Sequence, residues 1–317
     1  MTHSVHGTYS RDQVMMTLSA IAYTSLDSLA TLQEGLDAAE ALQQEYTAVW
    51  MAKDDSNLIY LVKNRLHDSY AIAIRGSVFQ FDLALLFKLY EDLGLARQVS
   101  FPNDETGGAK ISAGILDTVL TINNLIYKGN TLSQLLNKLP EGTLVHITGH
   151  SLGGTLAATY ALHLSNNNAA GLDIIPYTFG APNAGNNLFA DLFNPESKHF
   201  RFSQSSRVVN NRDIIPFAWN DLQGIPAIDY GDSKCPIDLT LCLDCMARML
   251  IVAQVFYVQP PVSHFLRGKI EPIEGFFQQA MHQHQHNSYL KLLGLRAITS
   301  ADYSYRRKKV VALSASL

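Results

Sequence analysis

Apolar positions recur at helical spacing over the first part of the chain and then switch to short, strand-length runs. Val14, Leu18 and Ile21, with Ser25 in phase, mark one helix whose start is set by Ser10 as N-cap. Leu29, Leu32, Leu36, Ala39 and Leu42 line one face of a second, so residues 12 to about 46 read as two helices. Leu58–Val62, Tyr70–Ile74, Leu144–Thr148, Ile174–Phe179 and Val208–Val209 then read as strands, and a helix from Leu152 to about Leu164 follows the third at once. Strands alternating with helices predict an α/β fold whose mostly parallel sheet is covered on both faces. Two segments break the alternation. Residues 78–110 are rich in Leu and Phe and close on the polar turn Asn103 to Gly108; residues 217–275 are irregular, proline-punctuated and carry the cysteines. With no repeat and no Pro/Gly/Ser-rich linker, the 317 residues read as one domain.

Composition narrows the class. Hydrophobic residues make up 47% of the chain and charged residues only 16%, which suits a large, well-filled core and equally a neutral surface that meets lipid. A net charge of -4 excludes the concentrated basic face that nucleic acid requires. The basic run Arg306 to Lys309 reads as part of a solvated tail at residues 300–317. Cys235, Cys242 and Cys245 imply no disulfide framework. The apolar stretch Val14–Ala22 lacks a cationic leader and reads as a helix rather than a cleaved signal. The run Met249–Val258 is far too short to span a membrane. The expected location is therefore the cytoplasm, or outside the cell by a route that needs no signal peptide.

Candidate chemistry concentrates at Gly149-His150-Ser151-Leu152-Gly153-Gly154, between a predicted strand and a predicted helix. That context makes a nucleophile elbow of the G-x-S-x-G pattern. A strand-to-helix turn this tight needs small flanking residues, which Gly149 and Gly153 provide, and it exposes the Ser151 hydroxyl beside the N–H groups of a helix N-terminus. A serine hydroxyl needs a base and an orienting acid, which in such folds follow in the order Asp or Glu, then His. Asp213 lies just past Val208–Val209, at the edge of the sheet where Ser151 sits; Asp173 precedes its strand and belongs to the opposite edge. His282, His284 and His286 alternate with glutamines, and spacing alone does not choose among them; His264 is a fourth histidine in the right part of the chain. A His-rich tract also suits a metal site.

Four ordered blocks resemble the lipase class 3 family, which includes fungal triacylglycerol lipases. Ile74-Arg75-Gly76-Ser77 is similar to its oxyanion block and Gly149–Gly154 to its elbow. Phe179-Gly180-Ala181-Pro182 through Asn186 is similar to its Phe-Gly-x-Pro segment, and Arg207–Asn210 through Asp213 and Pro216 to its acid block. The resemblance spans roughly residues 58 to 290 and implies an α/β-hydrolase fold with a helical lid. It implies Ser151 as nucleophile, Asp213 as acid, and Ser77 and Leu152 as oxyanion donors. The family's base sits in a His-x-x-Tyr pattern near the chain end, which His286-Asn287-Ser288-Tyr289 matches, so the resemblance selects His286. Residues 78–95 fall at the lid position, with Phe79, Phe81, Leu83, Leu85 and Leu86 among its apolar residues. Two departures are the missing histidine before Gly114, where the chain reads Lys110-Ile111-Ser112-Ala113, and an insertion at about residues 217–275.

The expectation is a serine carboxylic-ester hydrolase acting on acyl lipids, a triacylglycerol lipase or a phospholipase A, that needs neither cofactor nor metal. Its expected partner is a lipid ester at an interface, with transient contact to a membrane or lipid droplet and none to nucleic acid. Three other readings are an esterase for soluble esters, a non-catalytic lipid-binding or interaction protein on the same fold, and a metal-binding protein built on the three histidines and the cysteines.

Overall fold

The computed structural model describes residues 4–6, 9–76, 93–167 and 170–299. A seven-stranded sheet forms the centre. Its strands are β1 (Tyr46–Lys53), β2 (Leu58–Asn64), β3 (Tyr70–Ile74), β4 (Leu144–His150), β5 (Asp173–Phe179), β6 (Ser206–Asn210) and β7 (His264–Leu266), adjacent in chain order. β1, β2 and β3 form an antiparallel meander, and every pairing from β3 to β7 is parallel. The helices α1 (Arg11–Ile21), α2 (Leu29–Ala38), α3 (Ala113–Asn123), α4 (Leu152–Asn166), α5 (Ile237–Val252), α6 (Phe276–His284) and α7 (His286–Leu292) surround it. The expected α/β-hydrolase architecture is present.

The sheet is buried on both faces, which is why its strands read as near-continuous apolar runs. Successive side chains of β2 go to opposite sides: Ile59 and Leu61 join Trp50, Ile72, Val145 and Leu156 in one core, while Leu58, Tyr60 and Val62 join Met51, Ala71 and Tyr177 in the other. α3 and α4 close the first core, and α1, α2 and α7 the second. Eight of the eleven residues of α1 are buried. Its start is held by a capping box, in which the Ser10 hydroxyl accepts from the Gln13 N–H at 3.3 Å and the Gln13 side chain accepts from the Ser10 N–H at 2.7 Å.

Three elements depart from the sequence reading. β1 went unread because a bulge between Ala48 and Trp50 breaks its alternation. The stretch 217–275 is not wholly irregular: it holds the 16-residue helix α5 and the edge strand β7, which pairs parallel with β6. α5 is apolar nearly all round, burying Leu239, Cys242, Leu243, Met246 and Leu250 while Ile237, Leu241 and Val252 face outward, so it shows no amphipathic stripe. Of the expected lid, residues 78–92 lie outside the described residues, as does the tail 300–317. Leu93 and Leu95, at the end of that range, are buried in the first core.

Because β3 to β6 run parallel, their carboxyl ends share one edge of the sheet. Ser151 follows β4 directly and Asp213 lies three residues beyond β6 on that edge. Asp173 opens β5 opposite Leu144 at the other edge, where it accepts from the Ser203 hydroxyl at 2.7 Å. No helix among the described residues is long and apolar enough to cross a membrane.

Candidate active site

Ser151 sits between β4 and α4 with φ 60° and ψ -136°, a conformation that non-glycine residues rarely adopt. The turn is held from both sides: the Ser151 N–H donates to the Phe179 carbonyl at 2.9 Å, and the Ser151 carbonyl accepts from the Gly154 N–H at 2.9 Å. A Cβ at Gly149 would overlap the Gly153 carbonyl, and one at Gly153 would overlap the Ile74 carbonyl, so the elbow closes only with glycine at both positions. Leu152 is the first residue of α4, and its N–H therefore has no carbonyl partner within the helix. Ser77 lies outside the described residues.

The histidine brought to Ser151 is His284, not His286. His284 Nε2 lies 2.7 Å from Ser151 Oγ, and its Nδ1 lies 2.7 Å from Asp213 Oδ2. A carboxylate only accepts, so Nδ1 carries the proton and Nε2 is the acceptor for the serine hydroxyl. His284 is the last residue of α6, and Gln285, with ψ 140°, breaks the chain before α7 begins at His286. That break turns His286 away: its ring stacks on Tyr23, with centroids 4.7 Å apart and planes 8° from parallel. Burial lowers the His286 pKa to about 4, against an opposing hydrogen bond to the Ile298 backbone and with help from the nearby His284 charge. His282 faces Glu271 at 3.6 Å, and exposed His264 pairs with Asp12 at 3.0 Å. The three alternating histidines thus have three different environments, and they do not converge on a common ligand position.

Asp213 is fully buried and its acceptor capacity is used. Oδ1 accepts the Ile215 N–H at 2.9 Å, and Oδ2 accepts the Tyr289 hydroxyl at 2.7 Å beside His284 Nδ1. Burial, followed by the Asp213 charge, holds the Tyr289 hydroxyl well above its ordinary pKa, so it is a neutral donor. Asn210, the last residue of β6, ties these parts together. Its N–H donates to the Tyr289 oxygen at 3.1 Å, its side-chain amide donates to the Gln283 carbonyl at 2.9 Å, and its own carbonyl accepts the Asp213 N–H at 3.0 Å. Gly180, at φ 58°, makes room: a Cβ there would stand 2.7 Å from the Tyr289 hydroxyl and 2.9 Å from Asp213 Oδ2.

Sequence reasoning missed Tyr289, Asn210 and Gly180 as parts of the site, although Asn210 and Gly180 lie in the blocks that carry the resemblance and Tyr289 in the His-x-x-Tyr pattern near the chain end. The His-x-x-Tyr register pointed to Tyr289 correctly but paired it with the wrong histidine. Here the tyrosine stands five residues beyond the histidine that contacts Ser151, because the break at Gln285 intervenes.

The structure thus brings a serine on a strand–helix elbow, a buried aspartate past β6 and a histidine bridging them to one edge of an α/β-hydrolase sheet. Residues 71–222, just under half of the chain, match the family model for lipase (class 3). A curated lipase of Rhizomucor miehei is 32% identical over 120 residues, covering 37% of this chain and 30% of that protein, so the chain matches under a third of that relative's length. Among solved structures, that of M37 lipase aligns with a TM-score of 0.77 at 25% identity, covering 90% of this chain and 93% of that one. A structure described as of fungal lipases aligns at TM-score 0.51 and 14% identity over 89% of this chain and 96% of its own, a likeness of fold.

Proposed function

We propose that the protein is a serine carboxylic-ester hydrolase acting on acyl lipids, with Ser151 as nucleophile, His284 as general base and Asp213 as orienting acid. The observation that carries the reading is the unbroken contact Ser151 Oγ–His284 Nε2–His284 Nδ1–Asp213 Oδ2, with both links at 2.7 Å. In the first step the Ser151 oxygen attacks the ester carbonyl carbon while His284 Nε2 takes its proton. The resulting oxyanion is held by the Leu152 N–H at the positive end of α4, with Ser77 as the second donor. His284 then returns the proton to the departing alcohol, leaving an acyl-enzyme. Water, deprotonated by the same histidine, releases the fatty acid and restores Ser151. Asp213 holds the imidazole in the Nδ1–H tautomer and offsets its transient positive charge.

The match to a lipase family supports a water-insoluble ester, either triacylglycerol or the acyl ester of a phospholipid, met at a lipid surface. The test is hydrolysis of p-nitrophenyl esters, triacylglycerols and phospholipids by the wild type and Ser151→Ala, together with labelling by a fluorophosphonate. The reading requires release of fatty acid and labelling by the wild type, with a loss of at least ~10³-fold in the alanine variant. Unchanged turnover in folded Ser151→Ala, or a wild type that neither hydrolyses nor labels, ends it.

A further inference from the structure

The base is held by its side chain on one side only; its backbone is held from behind, by residues outside the triad. His150, the residue before the nucleophile, is buried with 3% of its surface exposed. Its Nε2 lies 2.7 Å from the carbonyl oxygen of His284. A carbonyl only accepts, so Nε2 carries the His150 proton and Nδ1 is a bare acceptor. The Tyr23 hydroxyl lies 3.2 Å from that Nδ1 and 3.0 Å from the His150 carbonyl, and donates toward both. The Tyr23 hydroxyl also packs directly on the backbone of Gly76, two residues past β3, where a Cβ would overlap it. His286 closes the assembly by stacking flat on the Tyr23 ring.

We infer that His150 and Tyr23 are positioning residues for the base: Tyr23 seated against the Gly76 backbone, its O–H to His150 Nδ1, and His150 Nε2–H to the His284 carbonyl together fix where α6 ends. The inference rests on the proposed role of His284. Three features favour positioning over packing. Each donor meets an acceptor, so the chain of bonds has one direction. It ends on the backbone of the base itself, at the residue before the break at Gln285, where the α6 helix supplies no further N–H to hold that carbonyl. It begins where Tyr23 packs on Gly76, the neighbour of Ser77, so the same contacts register the base against the strand end that leads into the oxyanion block. A neutral His150 is required throughout, and burial, reinforced by the His284 and His286 charges, favours that form.

The experiment compares full-length His150→Leu, His150→Gln, His150→Asn and Tyr23→Phe with the wild type on a soluble p-nitrophenyl ester. It reads kcat, KM, the rate of fluorophosphonate labelling and the melting temperature. A glutamine amide reaches where Nε2 stood, whereas an asparagine amide reaches only where Nδ1 stood. Loss of base alignment should lower kcat and the labelling rate together by ~30-fold or more in His150→Leu, with KM within about threefold. His150→Gln should recover at least about tenfold of that loss, and His150→Asn should not. Tyr23→Phe should fall between the wild type and His150→Leu. If His150→Leu does not fold, the contrast between Gln and Asn decides alone. Equal activity in the Gln and Asn variants, or wild-type kcat in His150→Leu, overturns the inference while the triad stands. Activity that survives Ser151→Ala would instead overturn the proposed reaction.

Discussion

The Tyr289 hydroxyl and His284 Nδ1 donate to the same oxygen of Asp213, each at 2.7 Å. The carboxylate is thereby held by a fixed neutral donor on one side while its other partner, the imidazole, would take up and release a proton in the proposed reaction. Tyr289→Phe removes that donor and leaves the Asn210 N–H without its acceptor inside a buried site. The expected cost is about 1–3 kcal/mol of stability. kcat should also fall by roughly 3- to 30-fold, since Asp213 keeps His284 and the Ile215 N–H. Chemical denaturation and steady-state kinetics check both; an unchanged midpoint would show that Tyr289 adds nothing to the acid.

Histidine substitutions separate the base from its neighbours. His284→Ala should lower kcat by at least ~10³-fold in a folded protein, because the serine loses its proton acceptor. His286→Ala removes a ring stacked on Tyr23 and facing the Ile298 backbone, away from Ser151 and Asp213, and should stay within about tenfold of the wild type. Fluorophosphonate labelling of both variants gives the answer directly, and the reverse order of severity would reinstate His286.

Gly180→Ala tests how closely the acid is packed. Its φ of 58° is unfavourable for alanine, and the new methyl would press on both the Tyr289 hydroxyl and Asp213 Oδ2. Activity should drop by ~10²-fold or more, from misplacement of the acid alone. A variant that melts with the wild type and retains its turnover would show that the acid loop yields freely.

Acid should destabilise the protein through His286 before it titrates the carboxylates. The folded-state pKa lies near 4 against an ordinary 6.5, so the unfolded chain binds the proton first. The stabilisation is whole above pH 6.5 and is lost as pH falls from 6.5 toward 4. It amounts to at most about 3 kcal/mol for a partly exposed ring. His150, also held below its ordinary value by burial, adds in the same direction. Denaturation midpoints measured across that range should fall, and His286→Gln should flatten the slope. The same slope in that variant would place the proton uptake elsewhere.

Local chemistry determined much of this protein from sequence alone. The elbow was readable because a strand–Ser–helix turn tolerates only glycine at 149 and 153, and Asp213 because an acid must stand past a strand on the same edge as Ser151. Ser10 declared itself as a cap by its place just ahead of the helical run Val14, Leu18 and Ile21. The base was a different matter. His282, His284 and His286 share one composition and one spacing, and what separates them is the end of α6 at Gln285 and its anchorage to Asn210, 73 residues earlier for Gln283. Tyr23, Tyr289 and Gly180 likewise gain their roles from contacts between distant parts of the chain, such as the 127 residues between Tyr23 and His150. β1 and α5 escaped notice because a bulge and an all-round apolar surface erase the periodicities that mark strands and helices. Sequence carried what depends on neighbours along the chain. Tertiary structure decided which of several equivalent side chains met the serine, because only packing brings the ends of β4, β6 and α6 to one point.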